Sequence, residues 1–324
     1  MSAVEGTVNS AVKVAVVGGG ANSEHEVSLA TADSVCAALR GAGGQEFEVV
    51  RLDVTRTGGW RDADGSMLDA AQAMGRIAGC DILFPLVHGP GGEDGTLAAL
   101  ARLLGLRLVG SGVGAGAVGM DKWVTKLVAE AVGVRVASGS LVRSGDEVEW
   151  CGPVVVKPVA AGSSNGVSLV REPEELELAL KAAFAEDDRV LVEEVLTGRE
   201  VDVAVLRRVD GSLFVTPALE VHVDGFFDYD AKYSSGGAAA RFEVPALLDA
   251  RASAEMRRQA VAVFEALGCA GVARVDFFLT DDGWVLNEVN TVPGMTATSQ
   301  VPLMAAAAGL PYPALLAELV RSAS

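Results

Sequence analysis

The stretch from Arg274 to Met295, RVDFFLTDDGWVLNEVNTVPGM, limits what this chain can fold into more than any other part of it. Val272–Thr280 and Trp284–Val289 are rich in β-branched and aromatic residues, with Asp281-Asp282-Gly283 between them, the pattern of a β-hairpin. A three-residue hairpin loop usually ends on a residue in the left-handed region, which Gly283 supplies. That loop sets Thr280 opposite Trp284, Asp276 opposite Glu288 and Arg274 opposite Asn290. Directly opposed residues share a face. Arg274, Asp276, Glu288 and Asn290 therefore face one way, and Val275, Phe277, Val285 and Val289 the other. Two carboxylates and an amide oxygen suit a hard cation such as Mg²⁺, which takes one or two carboxylates and completes its shell with substrate phosphates. Arg274 beside them can neutralise a phosphate or an oxyanion. The alternative is a solvated sheet face with a cross-strand ion pair, since antiparallel sheets often have a polar side. The Asn-Thr-Val-Pro-Gly-Met exit favours a site, because a turn there exposes backbone N–H groups beside the acidic face.

The chain has 324 residues, enough for two or three folding units at about 150 residues each. Half of them are hydrophobic, and no run approaches the roughly 18 apolar residues of a membrane span. MSAVEGTVNSAVK lacks the charged start and apolar core of a signal peptide and reads as a loose tail. Cys36, Cys80, Cys151 and Cys269 are widely spaced with no C-x-x-C. This argues against a zinc site or a disulfide framework and fits a reducing cytoplasm. With 26 basic and 43 acidic residues the net charge is −17, which repels nucleic acid and acidic lipid. An anionic ligand must be drawn in by a local cluster of Lys, Arg or metal.

Along the chain, Val12–Val17 is an apolar run that enters Gly18-Gly19-Gly20, followed by a helix over Ser28–Leu39. The dinucleotide fingerprint fails, because the third glycine position falls on Ser23. Glu26, near the start of that helix, reads on its own as a carboxylate suited to the helix dipole. Phe47–Leu52 and Asp81–Val87 are further strands. The second of these enters His88-Gly89-Pro90-Gly91-Gly92-Glu93-Asp94-Gly95 and a helix over Thr96–Leu104. By itself His88 reads as a structural strand-end histidine. Strand–loop–helix repeats predict a doubly wound parallel sheet with ligands at its C-terminal edge. Gly110–Gly119 reads as a linker. Beyond it come a helix over Lys122–Val132, and strands at Val154–Lys157 and Val167–Val170 bracketing PVAAGSSNG, a loop whose N–H groups can close over phosphates. Helix Glu174–Phe184 and strands Val190–Glu194, Glu200–Leu206 and Leu213–Val223 follow. Gly225–Ala240 has no period and reads as a lid. Helices are expected over Ala252–Leu267, Pro302–Gly309 and Tyr312–Ala323.

Taken together, GGGANSEHEVSL (18–29), HGPGGEDGTL (88–97), GSG with MDK (110–122), VVVKPVAAGSSNGVS (154–168), LVEEVLTGREVDVAV (191–205), FDYDAKY (227–233) and the hairpin resemble the D-alanine–D-alanine ligases of the ATP-grasp superfamily. The motifs occur in family order and span nearly the whole chain after residue 11. The resemblance implies a tail (1–11), an α/β domain (12–118), a central ATP-grasp lobe (119–197) and a C-terminal lobe with the metal site and lid (198–324). It implies ATP with two Mg²⁺ ions (Mn²⁺ as a substitute), D-alanine as substrate, a homodimer, a cytoplasmic location and a role in peptidoglycan precursor synthesis. No nucleic acid or membrane partner is expected.

Residue by residue, the resemblance places Lys122, Lys157, Ser163 and Ser164 at the nucleotide phosphates. Glu193, Glu194 and Leu196 fall at the adenine and Glu200 at the ribose. Asp276, Glu288 and Asn290 bind metal. Glu26 and His88 meet the first D-alanine, with Lys232 also at the substrates. Glu26, Ser163 and Tyr233 form a hydrogen-bonded link that closes the lid. Arg274 and the Gly294 N–H hold the oxyanion, Ser299 holds the second substrate's carboxylate, and Gln300 lies near its methyl group. Ala160-Ala161, the small SSGGAAAR after Tyr233, and Gln300 in place of an apolar residue depart from the family pattern. The alternatives are a relative with a D-serine acceptor, a specialised copy in resistance or secondary metabolism, and a nucleotide-binding protein without ligase activity. Tyr233 argues against a lactate-forming relative.

Overall fold

The computed structural model describes residues 11–41, 46–222 and 241–324. The chain begins with strand β1 (Val12–Gly19), helix α1 (His25–Gly41) and strands β2 (Phe47–Val54), β3 (Trp60–Asp62) and β4 (Met67–Leu68). Helix α2 (Ala70–Ala78), strand β5 (Ile82–Pro85), helix α3 (Thr96–Leu104) and strand β6 (Arg107–Leu108) follow. These strands form one sheet in the order β4-β3-β2-β1-β5-β6. β1 runs parallel to β2 and β5, and only the β3–β4 edge is antiparallel. Six consecutive buried residues end β1, as expected of a strand covered on both faces. Val14 and Val16 face α1, while Ala15 and Val17 face α2 and α3.

The expected linker at Gly110–Gly119 is instead mostly helical: α4 spans Val113–Met120 and α5 Lys122–Ala131. Two glycines of α4 serve close packing. A Cβ on Gly116 would lie 2.7 Å from Glu93 O, and one on Gly119 would lie 2.8 Å from Thr291 Cγ2. Composition alone cannot separate that use of glycine from flexibility.

Strands β7 (Gly139–Arg143), β8 (Val154–Pro158), β9 (Ser168–Val170) and β10 (Arg189–Glu194), with helix α6 (Leu176–Phe184) on one face, make an antiparallel sheet in the order β7-β10-β8-β9. The third sheet is built from β11 (Arg199–Arg207), β12 (Leu213–Val215), β13 (Leu219–His222), β14 (Arg241–Glu243), β15 (Val272–Thr280) and β16 (Gly283–Asn290). Its order is β14-β13-β11-β15-β16, with β12 also beside β11. The single strand expected over Leu213–Val223 is broken at Pro217, which has no N–H to give to the ladder. Helix α7 (Ala250–Ala266) packs behind β11 and β15. Helices α8 (Gln300–Ala307) and α9 (Tyr312–Arg321) turn back to the first sheet, where Leu315, Leu316, Leu319 and Val320 join the core of α1, Val14 and Val16. Each such side chain removed from water contributes about 1.5–3 kcal/mol. No single helix among the described residues is long and apolar enough to cross a membrane.

The hairpin differs from expectation in its loop. Thr280 pairs with Gly283, leaving only Asp281 and Asp282 as the loop. The register then slips by one between Asp276 and Phe277, where Phe277 faces Leu286 but Asp276 faces Glu288. A β-bulge at Asn287 thus restores the residue that the shorter loop removes. Asp276–Glu288 and Arg274–Asn290 are paired as expected, by a different route.

Candidate active site

A cleft of about 300 Å³ lies where the three sheets meet. Its first wall is the glycine turn after β1. Gly19 (φ +82°) could carry no side chain, because a Cβ there would lie 2.2 Å from Val54 O. Asn22 then staples this turn to the second glycine loop, its Nδ2 donating to His88 O and Pro90 O at 2.9 Å each. His25 is buried at the start of α1 with Nδ1 2.7 Å from Gly20 O, so Ser28, Thr31 and Ala32 follow on the inner face at helical spacing.

That geometry corrects one expected residue. Glu26, one position past buried His25, turns to solvent and pairs with Arg56 at 2.8 Å. Glu24 lines the cleft instead, and its Oε1 accepts the hydroxyl hydrogen of Ser163. The periodicity of α1 held the signal, since a residue next to a buried first-turn position leaves the buried face.

The PVAAGSSNG loop forms the second wall. Ser163 and Ser164 take φ of 53° and 58°, a region that costs a non-glycine residue about 1–3 kcal/mol. Gly162 lies directly on Glu24, where a Cβ would come within 2.3 Å of Oε2. Asn165 Nδ2 adds a 2.9 Å bond to Ser23 Oγ, so two side chains tie this loop to the start of α1.

The third wall is the hairpin face and its exit. Arg274 donates through Nε and an Nη to the two oxygens of Asp276, at 2.7 Å each, and lies 3.7 Å from Asp202. Burial opposes its charge, but Asp276 and Asp202 outweigh that and raise its pKa. Asp202, which the sequence reading missed, is 1% exposed. Burial first, and then the Asp276 charge, push its carboxyl well above the usual range. Asn290 Nδ2 lies 3.0 Å from Asp276 and 3.5 Å from Glu288, so both carboxylates stand close enough to share one positive partner. These hard oxygen donors fit a divalent cation such as Mg²⁺. Gly294 lies at the turn, and Ser299 holds the N-terminal cap position of α8, its Oγ turned back to Thr296 Oγ1 at 2.7 Å rather than to the helix. Gln300 also lines the cleft, but its Nε2 donates to Asp202 Oδ2 at 2.5 Å.

His88 lies on the floor, 4% exposed, with Nδ1 2.9 Å from Val292 O and Nε2 3.2 Å from Thr31 Oγ1. Burial works against its charged form, yet Glu93 and then Glu24 raise its pKa overall. Glu93 is a second lining carboxylate that the sequence reading passed over. Lys122 completes the rim, 2.7 Å from Ala161 O and 3.5 Å from Glu288.

The remaining expected nucleotide residues lie outside this cleft. Lys157 and Glu193 form a buried ion pair at 2.8 Å on the central sheet. Glu194 accepts from Ser138 N at 2.8 Å, Leu196 lies just past β10, and Glu200 sits on β11 opposite Phe278. Ser164, next to Ser163, is not among the residues that line the cleft. Tyr233, Lys232 and the expected lid fall outside the described residues.

The family profile described as "D-ala D-ala ligase C-terminus" matches residues 142–321. The D-alanine–D-alanine ligase of Mycolicibacterium smegmatis is 40% identical over 359 residues, covering 96% of this chain and 95% of that protein. The VanG D-Ala:D-Ser ligase of Enterococcus faecalis superposes with a TM-score of 0.80 at 31% identity, covering 96% and 98% of the two chains. The Bacillus anthracis D-alanine–D-alanine ligase, solved in complex with ATP, gives 0.79 at 25% identity over 96% and 97%. With its ATP-grasp fold and this near full-length similarity, the chain belongs to the D-alanine–D-alanine ligase family.

Proposed function

We propose that this protein joins two D-alanines into D-alanyl-D-alanine at the expense of ATP, through D-alanyl phosphate, for peptidoglycan precursor synthesis in the cytoplasm. The observation that carries the reading is the convergence of Arg274, the acidic hairpin face and the Ser163–Glu24 link on one cleft. In the first step a carboxylate oxygen of one D-alanine attacks the γ-phosphorus of ATP and ADP leaves. In the second, the amine of the other D-alanine attacks the acyl carbon, and phosphate leaves after the tetrahedral adduct collapses. Negative charge grows on phosphoryl oxygens and then on the adduct oxygen, where preorganised cations and N–H donors are most effective. Lys122 and Lys157 serve the phosphates, and Arg274 with the Gly294 N–H serves the adduct oxygen. Asp276, Glu288 and Asn290 would hold Mg²⁺, which supplies positive charge at the phosphates. Ser299 takes the carboxylate of the second D-alanine. Glu24, not Glu26, faces the first substrate with His88. The Ser163–Glu24 bond holds the serine loop down, which excludes the water that would hydrolyse an acyl phosphate.

A D-serine acceptor is the second reading, favoured by the polar Gln300 at the acceptor end of the cleft. The test is phosphate release with ATP, Mg²⁺ and D-alanine, with the product identified against a panel of second substrates. D-Alanyl-D-alanine as main product is expected. No phosphate release with D-alanine would overturn the assignment.

A further inference from the structure

Behind the cleft lies a cluster that the chemistry above leaves partly unused. Lys126, Lys157 and Glu193 are 3%, 6% and 4% exposed. Each oxygen of Glu193 takes one ammonium: Lys126 Nζ lies 2.8 Å from Oε1, and Lys157 Nζ lies 2.8 Å from Oε2. The placement is dictated by the sheet. Glu193 on β10 faces Val155 on β8, and Lys157, two residues further along β8, is its diagonal neighbour on the same face. Gly139 faces Glu193 from β7, where a Cβ would lie 2.8 Å from the Glu193 Cγ. A side chain there would displace the carboxylate. Lys126 arrives from the buried face of α5, one helical turn after Lys122.

Two ammoniums share a single carboxylate, so the cluster holds one positive charge more than it can neutralise. Buried charge of this kind requires a counter-charge. Resting on the assignment of Lys157 to the nucleotide, we propose that Lys126 is a positioning residue of the nucleotide site: by holding one oxygen of Glu193, it leaves the Lys157 ammonium exchangeable between the other oxygen and a nucleotide phosphate. With Lys126 gone, Glu193 is left to Lys157 alone. A phosphate must then compete with an undivided carboxylate, in a cluster whose surplus charge has vanished. The charges facing Lys126 are Glu193 on β10, Lys157 on β8 and Lys122 on its own helix. Burial, and then Lys157, bring the Lys126 pKa down to about 8. Its charge, and with it the effect on Lys157, is therefore lost as pH rises through that value.

The experiment is calorimetric titration of ATP with Mg²⁺, in the absence of D-alanine, into the wild type and five variants, Lys126→Met, Lys126→Arg, Glu193→Gln, Lys126→Met/Glu193→Gln and Lys157→Ala. Lys126→Met should bind roughly tenfold or more weakly, the scale of one charge lost near a phosphate at low effective dielectric. Lys126→Arg, which keeps the charge, should bind close to wild type. The loss caused by Lys126→Met should largely vanish in the Glu193→Gln background, because the neutral amide releases Lys157, and Glu193→Gln alone accounts for any direct effect of that change at the adenine. A purely structural Lys126 predicts the opposite, a double variant weaker than either single one. Wild-type affinity in Lys126→Met, or an undiminished loss from Lys126→Met in the Glu193→Gln background, would overturn the proposal. Wild-type affinity in Lys157→Ala would instead remove the nucleotide assignment on which it rests. If Lys126→Met does not fold, the wild type itself decides: ATP affinity should fall above about pH 8 more steeply than in Lys126→Arg, and parallel profiles would reject the role.

Discussion

Ser163 donates its hydroxyl hydrogen to Glu24 across 139 residues of chain, and Glu26, two positions away, makes no such contact. Glu24→Gln should therefore lower kcat/KM by about tenfold or more, since a hydrogen bond to a charged group is worth about 1.5–3 kcal/mol. Glu26→Gln should stay within about twofold of wild type, its pair with Arg56 being an exposed one. Steady-state kinetics on the two variants checks this, and equal losses in both would contradict the assignment of Glu24.

Lys157→Ala and Glu288→Ala should each reduce ligation by roughly a hundredfold or more while leaving the circular dichroism spectrum unchanged. Each removes charge from where phosphoryl or adduct charge develops. A folded variant with near-normal turnover would remove that residue from the site.

Gln300 gives its amide hydrogen to Asp202, whose carboxyl is buried. Gln300→Leu should cost about 1–3 kcal/mol of stability, the penalty for leaving a buried polar group without its partner. Pairing it with Asp202→Leu should return part of that loss in a double-mutant cycle measured by denaturant unfolding. With one amide hydrogen given to Asp202, the carboxamide oxygen and the second N–H are left to read the second substrate. Gln300→Leu should also lower the D-serine over D-alanine ratio of kcat/KM by roughly two- to twelvefold, the worth of one net hydrogen bond. An unchanged ratio would mean that Gln300 does not read the acceptor.

Glu93 and Glu24 raise the His88 pKa in the fold against the effect of burial. The folded state then binds the proton more tightly than the unfolded chain. The stabilisation is fully present below the unfolded value of about 6.5 and fades as pH rises through the higher folded value. Wild type and His88→Gln should differ most in unfolding free energy near pH 5.5 and converge in alkali. A difference that grew with pH would refute the Glu93 pairing.

Much of the fold was legible because periodicity reports burial directly. The run that ends β1, and the helix over Thr96–Leu104, fell where expected. Glycine misled in one place: its use for tight packing in α4 has the same composition as a flexible linker. The hairpin was legible at its site and not at its loop, since side-chain alternation reports facing but not the one-residue compensation between a short turn and a bulge. Glu24 was missed because motif resemblance locates a segment, while the choice between two nearby carboxylates needs the phase of the helix. Lys126 and Asp202 gave no signal, because a charge inside an amphipathic pattern reads as a surface residue until its partners are known.

Helix α9 covers the same face of the first sheet as α1, and Tyr312 on it meets Ser34 at 2.9 Å, 278 residues later in the chain. Seen from the ribosome, the opening α/β unit is translated early with α1 on that face, but the part of the cover that α9 supplies is missing until residues 312–321 have been made. For most of synthesis Val14, Val16 and Leu39 have the rest of α1 beside them but lack Leu315, Leu316, Leu319 and Val320. Vectorial folding can finish the central sheet during elongation, but the core that α1 shares with α9 closes only once α9 has been made, so the part made first is completed late.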